Sequence, residues 1–393
     1  MVKKRSNKDI VVFFMMFMLI FIGNISFVSF YEQIRYIFIL CIALFLLFNY
    51  NKIVANRNIG IVFIWLCLSS SLFYSSYLNR NNYESRDPLL SAVIFCSIIL
   101  EFSLIVLYAQ SEGKLEHLVT LYRYWGTVAV ILADISVFLT KNTQSDTEYL
   151  FGDKFATAYL HMFVMALWLL RRNISLYKVK DLLIYSALFI DCMLSGIHTK
   201  CSTGTIGFVL VIVFWVLCIK FSNVFLTKTI SIILIIFSFS YSFIYSRILQ
   251  TPAAIFFIEN VLHKDISMTG RTGIFQILPA VISKKPLWGY GYGISYEVLS
   301  KYVHGNIPNT QNAVAEWLLY GGICVVILVL IFIFYGLKNI SNCSDNIYIP
   351  LVCMIYSYIV IGSVEVTFGK TFFAIVLLIY GFTTECKGEM RNA

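Results

Sequence analysis

Charged residues are scarce in this chain. They make up 13% of its 393 residues, which is roughly half their share in soluble domains. Hydrophobic residues make up 59%, and a soluble protein of this composition could not cover its surface with polar groups. A soluble enzyme is therefore excluded. The net charge of +9 does not indicate a nucleic-acid partner either, because membrane proteins retain Lys and Arg in their cytoplasmic loops.

Residue patterns for metals, disulfides and nucleotides are missing as well. The ten cysteines stand singly, mostly inside apolar runs, with no CxxC and no Cys/His ligand spacing. This predicts buried thiols, with neither a disulfide framework nor a metal site. The Gly-rich stretch at 289–293 has no strand before it and no helix after it, so the dinucleotide fingerprint does not apply. We expect no cofactor.

Long apolar runs dominate the chain instead. Many reach about 17–23 residues, enough to cross a hydrocarbon core as a helix. The sequence predicts an all-α polytopic membrane protein with about twelve transmembrane helices. The N-terminal run is expected to be a retained first helix and not a cleaved signal. The predicted spans are 10–30, 34–50, 59–78, 89–109, 118–140, 155–170, 182–198, 203–220, 224–246, 313–336, 347–362 and 370–384.

The distribution of Lys and Arg predicts the orientation. With the N-terminus inside, the inner segments hold about twice as many of these residues as the short outer loops. Both termini are then cytoplasmic, and one large extracytoplasmic loop, 247–312, precedes the tenth helix. It separates a nine-helix bundle (1–246) from three further helices and a cytoplasmic tail (313–393). The cations of the short outer loops are Arg35, Arg80, Arg86, Lys141, Lys154, Lys200 and Lys370.

The large loop contains candidates for anion binding. Arg271 lies in a Thr-Gly-Arg-Thr-Gly turn, and an arginine held this way can bind phosphate in a bidentate manner. A solvated arginine, or one paired with Glu316, would have the same sequence. Lys200, before the helix at 203–220, is a second candidate anion contact. It could equally be a plain loop cation.

Glycine, lysine and tyrosine alternate in the middle of the same loop. Glycines allow backbone N–H groups to approach an anion or permit tight turns. Tyrosines here and at 296 and 302 suit sugar-ring stacking, but anchoring at the membrane interface produces the same enrichment. The candidate substrate-contacting residues of this stretch are Lys284, Lys285, Gly289, Tyr290, Gly291, Tyr292 and Gly293.

Polar residues also lie at or inside the predicted spans. Asn312 and Glu316 are four residues apart and face the same side of a helix, with Gln311 just before them. Gln311 and Asn312 complete the set of candidate substrate-contacting residues. Ionisable groups within spans are functional candidates. A transporter would use them as an ion relay, whereas an enzyme would use them mainly to hold the bundle together. They are Glu101, Arg123, Asp134, His161, Asp191 and Glu365.

In their order, these segments resemble the O-antigen polymerase and O-antigen ligase superfamily of bacterial envelope enzymes. The resemblance is firmest over about 265–325, and no single motif is specific. The turn at 200–207 and the segment 152–155 resemble further family motifs, with Lys200 where Arg is usual. The matching segments are Thr269-Gly270-Arg271-Thr272, Pro286-Leu287-Trp288-Gly289-Tyr290-Gly291-Tyr292-Gly293 and Gln311-Asn312-Ala313-Val314-Ala315-Glu316-Trp317-Leu318-Leu319-Tyr320-Gly321-Gly322.

The resemblance implies a bacterial inner-membrane polymerase that joins oligosaccharide repeats carried on polyprenyl pyrophosphate, without a metal. Arg271 and Lys200 would bind the pyrophosphate. The family's general base is a His at the position of Gln311, and glutamine cannot act as a base. His304 or Glu316 would replace it. The implied partners are the lipid-linked oligosaccharides, the bilayer, and a chain-length regulator and flippase of the same pathway.

Three alternatives stay open. A ligase of the same superfamily would pass finished glycan to a lipid or protein acceptor. A lipid-linked oligosaccharide flippase would have a similar number of helices, although flippases have two similar halves with short loops. A structural membrane subunit is the third.

Overall fold

The computed structural model describes residues 7–54, 56, 58–140, 147–170, 179–249, 251–256, 259–260, 271–302, 308–341 and 348–392. These residues form helices without a β-strand, and Tyr149 and Gly152 form an isolated bridge. The helices are α1 (Asn7–Phe21), α2 (Tyr31–Phe48), α3 (Tyr50–Val54), α4 (Gly60–Leu78), α5 (Pro88–Ser111), α6 (Leu115–Leu139), α7 (Lys154–Leu169), α8 (Val179–His198), α9 (Ser202–Lys220), α10 (Ser222–Phe225), α11 (Lys228–Leu249), α12 (Pro252–Phe256), α13 (Arg271–Lys284), α14 (Ser295–Ser300), α15 (Ala313–Gly336), α16 (Ile349–Ile361) and α17 (Lys370–Asn392).

A helix lies at each of the predicted spans. Six helices are long and apolar enough to cross a membrane, namely α2, α4, α5, α6, α9 and α15. The first helix differs from its prediction, because α1 ends at Phe21 and not near residue 30. Gly23 and Asn24 follow, and the Asn24 side chain accepts a hydrogen bond from the N–H of Ile25, which favours a turn over further helix.

The outer surface of the bundle is apolar. On α2, Leu40 is 62% exposed and Leu47 is 70% exposed. Exposed leucine and isoleucine side chains continue along α6 and α9. Such a surface is stable only against lipid, so the architecture is that of an all-helical membrane protein.

The segment predicted as one large loop is partly helical. Between 247 and 312 the structure describes α12, α13 and α14. Apolar residues of α13, such as Phe275 and Leu278, pack with Leu299 of α14 and Leu319 of α15 in a core separate from that of the main bundle. This segment is therefore a folded cap on one end of the bundle.

That end of the bundle is where α4 ends and where α5, α15 and α17 begin, and we call it the capped end. At the opposite end, the Lys114 ammonium lies 2.8 Å from a carboxylate oxygen of Asp9 and 3.4 Å from one of Glu112. Tyr108 donates its hydroxyl to the other Asp9 oxygen. These contacts tie α1 to α5 and α6.

Helix α15 is broken at Gly322, which has φ of 63°. The segment 286–291 lies in the break and pairs with the helix backbone. The N–H groups of Tyr290 and Gly291 donate to the carbonyls of Leu319 (2.7 Å) and Tyr320 (2.9 Å). In return, the N–H of Ile323 donates to the carbonyl of Pro286 at 2.8 Å. Backbone groups released by the break are thus paired inside the protein, as an apolar environment requires.

Alanine at position 322 should destabilise the protein. Its Cβ would overlap the Leu287 carbonyl, and a left-handed φ costs a residue other than glycine about 1–2 kcal/mol. We expect Gly322→Ala to lower the free energy of unfolding by at least that amount, seen as a lower Tm in detergent. Gly23→Ala is the control, because no atom lies within 4 Å of the added Cβ. Equal Tm values for the two variants would contradict this account.

Candidate functional site

Two cavities open side by side at the capped end. The first, of about 600 Å³, is lined by Arg35, Arg86 and Lys370, and we call it the basic cavity. The second, of about 550 Å³, is lined by Glu316 and is called the carboxylate cavity. Arg86 and Tyr292 line both, so the two cavities form one candidate site.

Helix ends position the cations of the basic cavity. Arg35 lies in the first two turns of α2, and Lys370 is the first residue of α17. Arg86 precedes Asp87, the N-cap of α5, whose carboxylate accepts the N–H of Leu89 at 2.8 Å. This hydrogen bond fixes the backbone at Asp87 and so restricts the position of the neighbouring Arg86.

The basic cavity has cationic groups without acidic partners. Arg80 binds Asp87 at 3.4 Å, which leaves Glu32 as the other acid of the lining. Within the part of the chain that the structure describes, no carboxylate lies within 4.0 Å of Arg35 or Arg86. The Nε atom of Arg35 is buried and has no hydrogen-bond partner there. Such a group is costly to bury alone, and an anion in the cavity would satisfy it.

The carboxylate cavity is built around Glu316, which is 1% exposed. One of its oxygens accepts the Ser295 hydroxyl, and the other accepts the N–H of Thr310 at 2.9 Å. The carboxylate therefore joins α14, α15 and the segment before α15. With both oxygens occupied, Glu316 fits a positioning role better than that of a free base.

Asn312 caps α15 in the way that its predicted position suggests. Its side-chain oxygen accepts the N–H groups of Val314 and Ala315, and its amide donates to the carbonyls of Ser238 and Ser363. Asn312 thus anchors α15 to α11 and to the end of α16. The geometry gives it a structural role.

Two residues singled out in the sequence have strained backbones. Lys200 has φ of 53° and Gln311 has φ of 55°, and among the described residues no other non-glycine residue has a positive φ. Lys200 lies just after the end of α8, at a position where a glycine is usual. Strain of this kind concentrates at functional sites.

Tyr292 forms the wall between the cavities. Its ring stacks on Phe95 with centroids 4.8 Å apart and lies 4.7 Å from the ring of Tyr320. Its N–H donates to the Ser76 hydroxyl at 3.1 Å. Tyr296 lines the carboxylate cavity and is exposed, so aromatic rings are available for sugar stacking.

Most of the predicted substrate-contacting loop instead packs against the protein. Gly289, Gly291 and Gly293 all have positive φ, and a Cβ on Gly289 would lie 2.5 Å from the Leu319 carbonyl. Tyr290 is buried and donates to the Val281 carbonyl. The glycines therefore fit the loop into the break of α15. A contact with substrate stays a prediction for these residues.

The two lysines of the loop also have partners within the protein. Lys284 donates to the Tyr302 hydroxyl at 2.9 Å. Lys285 donates to the Asn79 side chain and lies over the ring of Tyr290. Burial, together with the charge of Lys301, holds the pKa of Lys285 below its usual value. Lys285 thus ties the cap to α4.

Other predicted site residues lie outside these cavities or outside the described residues. Lys200 is exposed at the α8–α9 turn and does not line the basic or the carboxylate cavity. Arg271 begins α13, but its side chain lies outside the described residues, so pairing with Glu316 stays untested. His304 lies outside them altogether.

The cations of the basic cavity are not among the site residues that the sequence predicts. Arg35, Arg86 and Lys370 enter the sequence analysis only as cations of the predicted short outer loops. The rarity of cations in those loops is the signal that was available, because the positive-inside bias does not explain a cation there.

Three of the six ionisable residues predicted inside spans come together. Asp134 of α6, His161 of α7 and Asp191 of α8 form one cluster. The other three lie apart from it. Glu101 is buried with one oxygen lacking a partner among the described residues, and Arg123 lies over the ring of Trp168. Glu365 is buried after α16, and its carboxylate accepts the N–H of Val366.

Comparison with known proteins gives no assignment. No protein-family model matches this chain, and no curated protein matches it at a significant level.

Glu316→Gln should destabilise the capped end. The glutamine amide can still accept the Thr310 N–H, but its NH₂ group then faces Ser295, whose hydroxyl must accept instead of donate. The charge-assisted hydrogen bonds become neutral ones, which costs about 1 kcal/mol or more. We expect a correspondingly lower Tm in detergent. Glu32→Gln is the control, because Glu32 is an exposed carboxylate of the basic cavity. It should leave the Tm unchanged. A wild-type Tm for Glu316→Gln would show that these hydrogen bonds do not hold the cap.

Proposed function

We propose that this protein is a membrane glycan polymerase that transfers oligosaccharide repeats from a polyprenyl pyrophosphate carrier to the hydroxyl of an acceptor glycan. The proposal places the reaction at the outer face of a bacterial inner membrane. The candidate site at the capped end is where the substrates would meet.

The unpaired cations of the basic cavity carry the proposal. Arg35 has a buried Nε without a partner among the described residues, and Arg86 and Lys370 line the same space. A pyrophosphate supplies oxygens for several such donors, and arginine binds phosphate in a bidentate manner. The rim between α2 and α5 carries exposed apolar side chains such as Leu90, which suits an attached lipid chain.

The chemistry needs charge stabilisation more than proton transfer at the leaving group. A pyrophosphate leaves already ionised, so fixed cations stabilise the charge that develops on it. The acceptor hydroxyl must lose a proton, and His304 is the candidate base because both oxygens of Glu316 already accept hydrogen bonds. Attack from the side opposite the pyrophosphate inverts the anomeric centre.

The carboxylate cavity would hold the sugars. Tyr292, Tyr296 and Tyr320 line it, and aromatic faces with polar tips suit carbohydrate. Because Arg86 borders both cavities, it would contact the pyrophosphate next to the sugar that is transferred. Arg271 and Lys200 are proposed as further phosphate contacts, and the strained backbone of Lys200 supports a role beyond structure.

The proposed topology has twelve spans with both termini in the cytoplasm. Helices at all twelve predicted positions support it, as does the pairing of Asp9 of α1 with Lys114 before α6 at the end opposite the cap. A flippase and a chain-length regulator of the same pathway are the proposed partners. The superfamily that the chain resembles has a His base at the position of Gln311. Its polymerases vary more at this position than its ligases do, so the glutamine favours a polymerase over a ligase.

Deletion of the gene distinguishes these functions. We expect single repeats at the cell surface and loss of the polymer ladder, measured by gel electrophoresis of surface and lipid-linked glycans. Long polymer stranded on its lipid carrier would instead indicate a ligase, and single repeats trapped inside a flippase. An unchanged glycan profile would reject the proposal.

Replacing the cations of the basic cavity should stop polymerisation while leaving the protein in the membrane. We expect Arg35→Gln and Arg86→Gln, like Arg271→Gln, each to reduce polymer by at least about tenfold, because each removes a charge-assisted contact of roughly 1.5–3 kcal/mol. The measurement is the ladder from the complemented deletion strain, normalised to membrane protein level.

Arg80→Gln is the matched control, because Arg80 lies at the same end but pairs with Asp87 and does not line the basic or the carboxylate cavity. It should retain the ladder. Normal polymer in both Arg35→Gln and Arg86→Gln would remove the basic cavity as the pyrophosphate site.

A further inference from the structure

The cluster of Asp134, His161 and Asp191 lies apart from the two cavities. It draws one side chain from each of three neighbouring helices, α6, α7 and α8. His161 is buried, Asp134 is half-buried, and the side chain of Asp191 is 36% exposed. The proposed polymerase chemistry makes no use of these residues.

Hydrogen bonding fixes the state of the imidazole. Nδ1 of His161 lies 2.8 Å from the carbonyl oxygen of Thr157. A carbonyl can only accept, so Nδ1 carries a proton. In the neutral ring, Nε2 is then a lone pair, and it lies 2.9 Å from an oxygen of Asp134 and 3.9 Å from an oxygen of Asp191. A lone pair that faces carboxylate oxygens needs either a proton or a metal ion between them.

The arrangement matches that of a metal-binding histidine. Such histidines donate the second ring N–H to a carbonyl or carboxylate, which fixes the ring and leaves the other nitrogen for the metal. The Thr157 carbonyl is in the same helix turn and fulfils this role. Sequence spacing could not reveal the set, because its three donors come from three different helices.

The distances also suit a small divalent ion. One donor atom from each of the three residues lies within 4.8 Å of the others. Bonds of about 2.0–2.2 Å around tetrahedral zinc space the donors roughly 3.3–3.6 Å apart. The observed 2.9 and 3.9 Å lie on either side of this spacing, so side-chain rotations of a few tenths of an ångström would complete the site.

Charge balance favours a divalent ion over a single proton. A protonated His161 would leave one carboxylate uncompensated, since no Lys or Arg of the described residues lies within 4.0 Å of Asp134 or Asp191. Uncompensated charge inside an apolar bundle is expensive. A divalent ion with neutral His161 balances both carboxylates.

We propose that Asp134, His161 and Asp191 bind one divalent transition-metal ion, with Zn²⁺ as the ion that best fits one imidazole and two carboxylates. The ion cross-links α6, α7 and α8. The partly exposed Asp191 provides the entry path, and the fourth coordination position is open to water. The inference does not depend on the proposed function.

Zinc binding to the purified full-length protein tests the proposal. The protein in detergent is treated with EDTA, desalted and titrated with ZnCl₂ by calorimetry, and bound zinc is counted by mass spectrometry. We expect one zinc per chain and a higher Tm with zinc than with EDTA. Asp191→Asn keeps the size of a partly exposed side chain and removes one proposed ligand. Loss of a group that only supports a ligand lowers metal affinity about 10–100-fold, so loss of the ligand itself should weaken zinc binding at least about 100-fold. His161→Gln should do the same.

His198→Gln is the matched control, because His198 is also on α8 and contacts Phe138 and the Thr140 carbonyl, outside the cluster. It should bind zinc like the wild type. The Tm of EDTA-treated Asp191→Asn should equal that of the EDTA-treated wild type, which shows that the variant is folded. Absence of zinc from the wild type, wild-type affinity in Asp191→Asn, or equal loss in His198→Gln would each overturn the proposal.

Discussion

The pairing between the broken helix α15 and segment 286–291 is the interaction on which the capped end depends. A helix that breaks in apolar surroundings exposes N–H and carbonyl groups that water cannot reach, and each unpaired group costs several kcal/mol in lipid. Here the carbonyls of segment 286–291 accept N–H groups from the helix after the break, and its own N–H groups donate to carbonyls of the helix before the break. Ser75 of α4 adds its hydroxyl to the carbonyls of Trp288 and Tyr320. The loop and the helix are therefore stable only together.

The candidate site follows from that pairing. Gly291 allows the chain to pass against α5, where an added Cβ would lie 3.0 Å from Pro88, and the next residue, Tyr292, is fixed as the wall between the two cavities. Beyond the break, the first turns of α15 carry Glu316, which holds Ser295 and Thr310. In membrane proteins, broken helices mark binding sites because they bring backbone and polar groups to the level of the bilayer. The glycines of the loop are therefore needed for the close packing of the loop against α15 and α5.

The sequence predicts where the helices lie but not which side chains share the two cavities, for a physical reason. Each helix that crosses a bilayer needs its own apolar run of sufficient length, so local composition is enough to find α4, α5 or α15. Which side chains share a cavity depends instead on how distant helices pack, and nothing local connects Arg35 with Lys370. The N-cap role of Asn312, which the sequence analysis does not predict, is the kind of role that local sequence can indicate, because a cap acts within its own helix. The conformations of Lys200 and Gln311 are set by tertiary contacts, and no propensity indicates them.

Scarcity of charge makes the surviving charges informative. An isolated charge inside the bundle is unstable, so each buried ionisable group is expected to be paired, neutral or open to a ligand. At the end opposite the cap, Asp9 and Lys114 satisfy one another. In the basic cavity, no carboxylate of the described residues lies within 4.0 Å of Arg35 or Arg86, whereas the Asp134 cluster has two carboxylates around a single imidazole. An anion would balance the first site and a cation the second, so the two proposals call for ligands of opposite charge and can be tested independently.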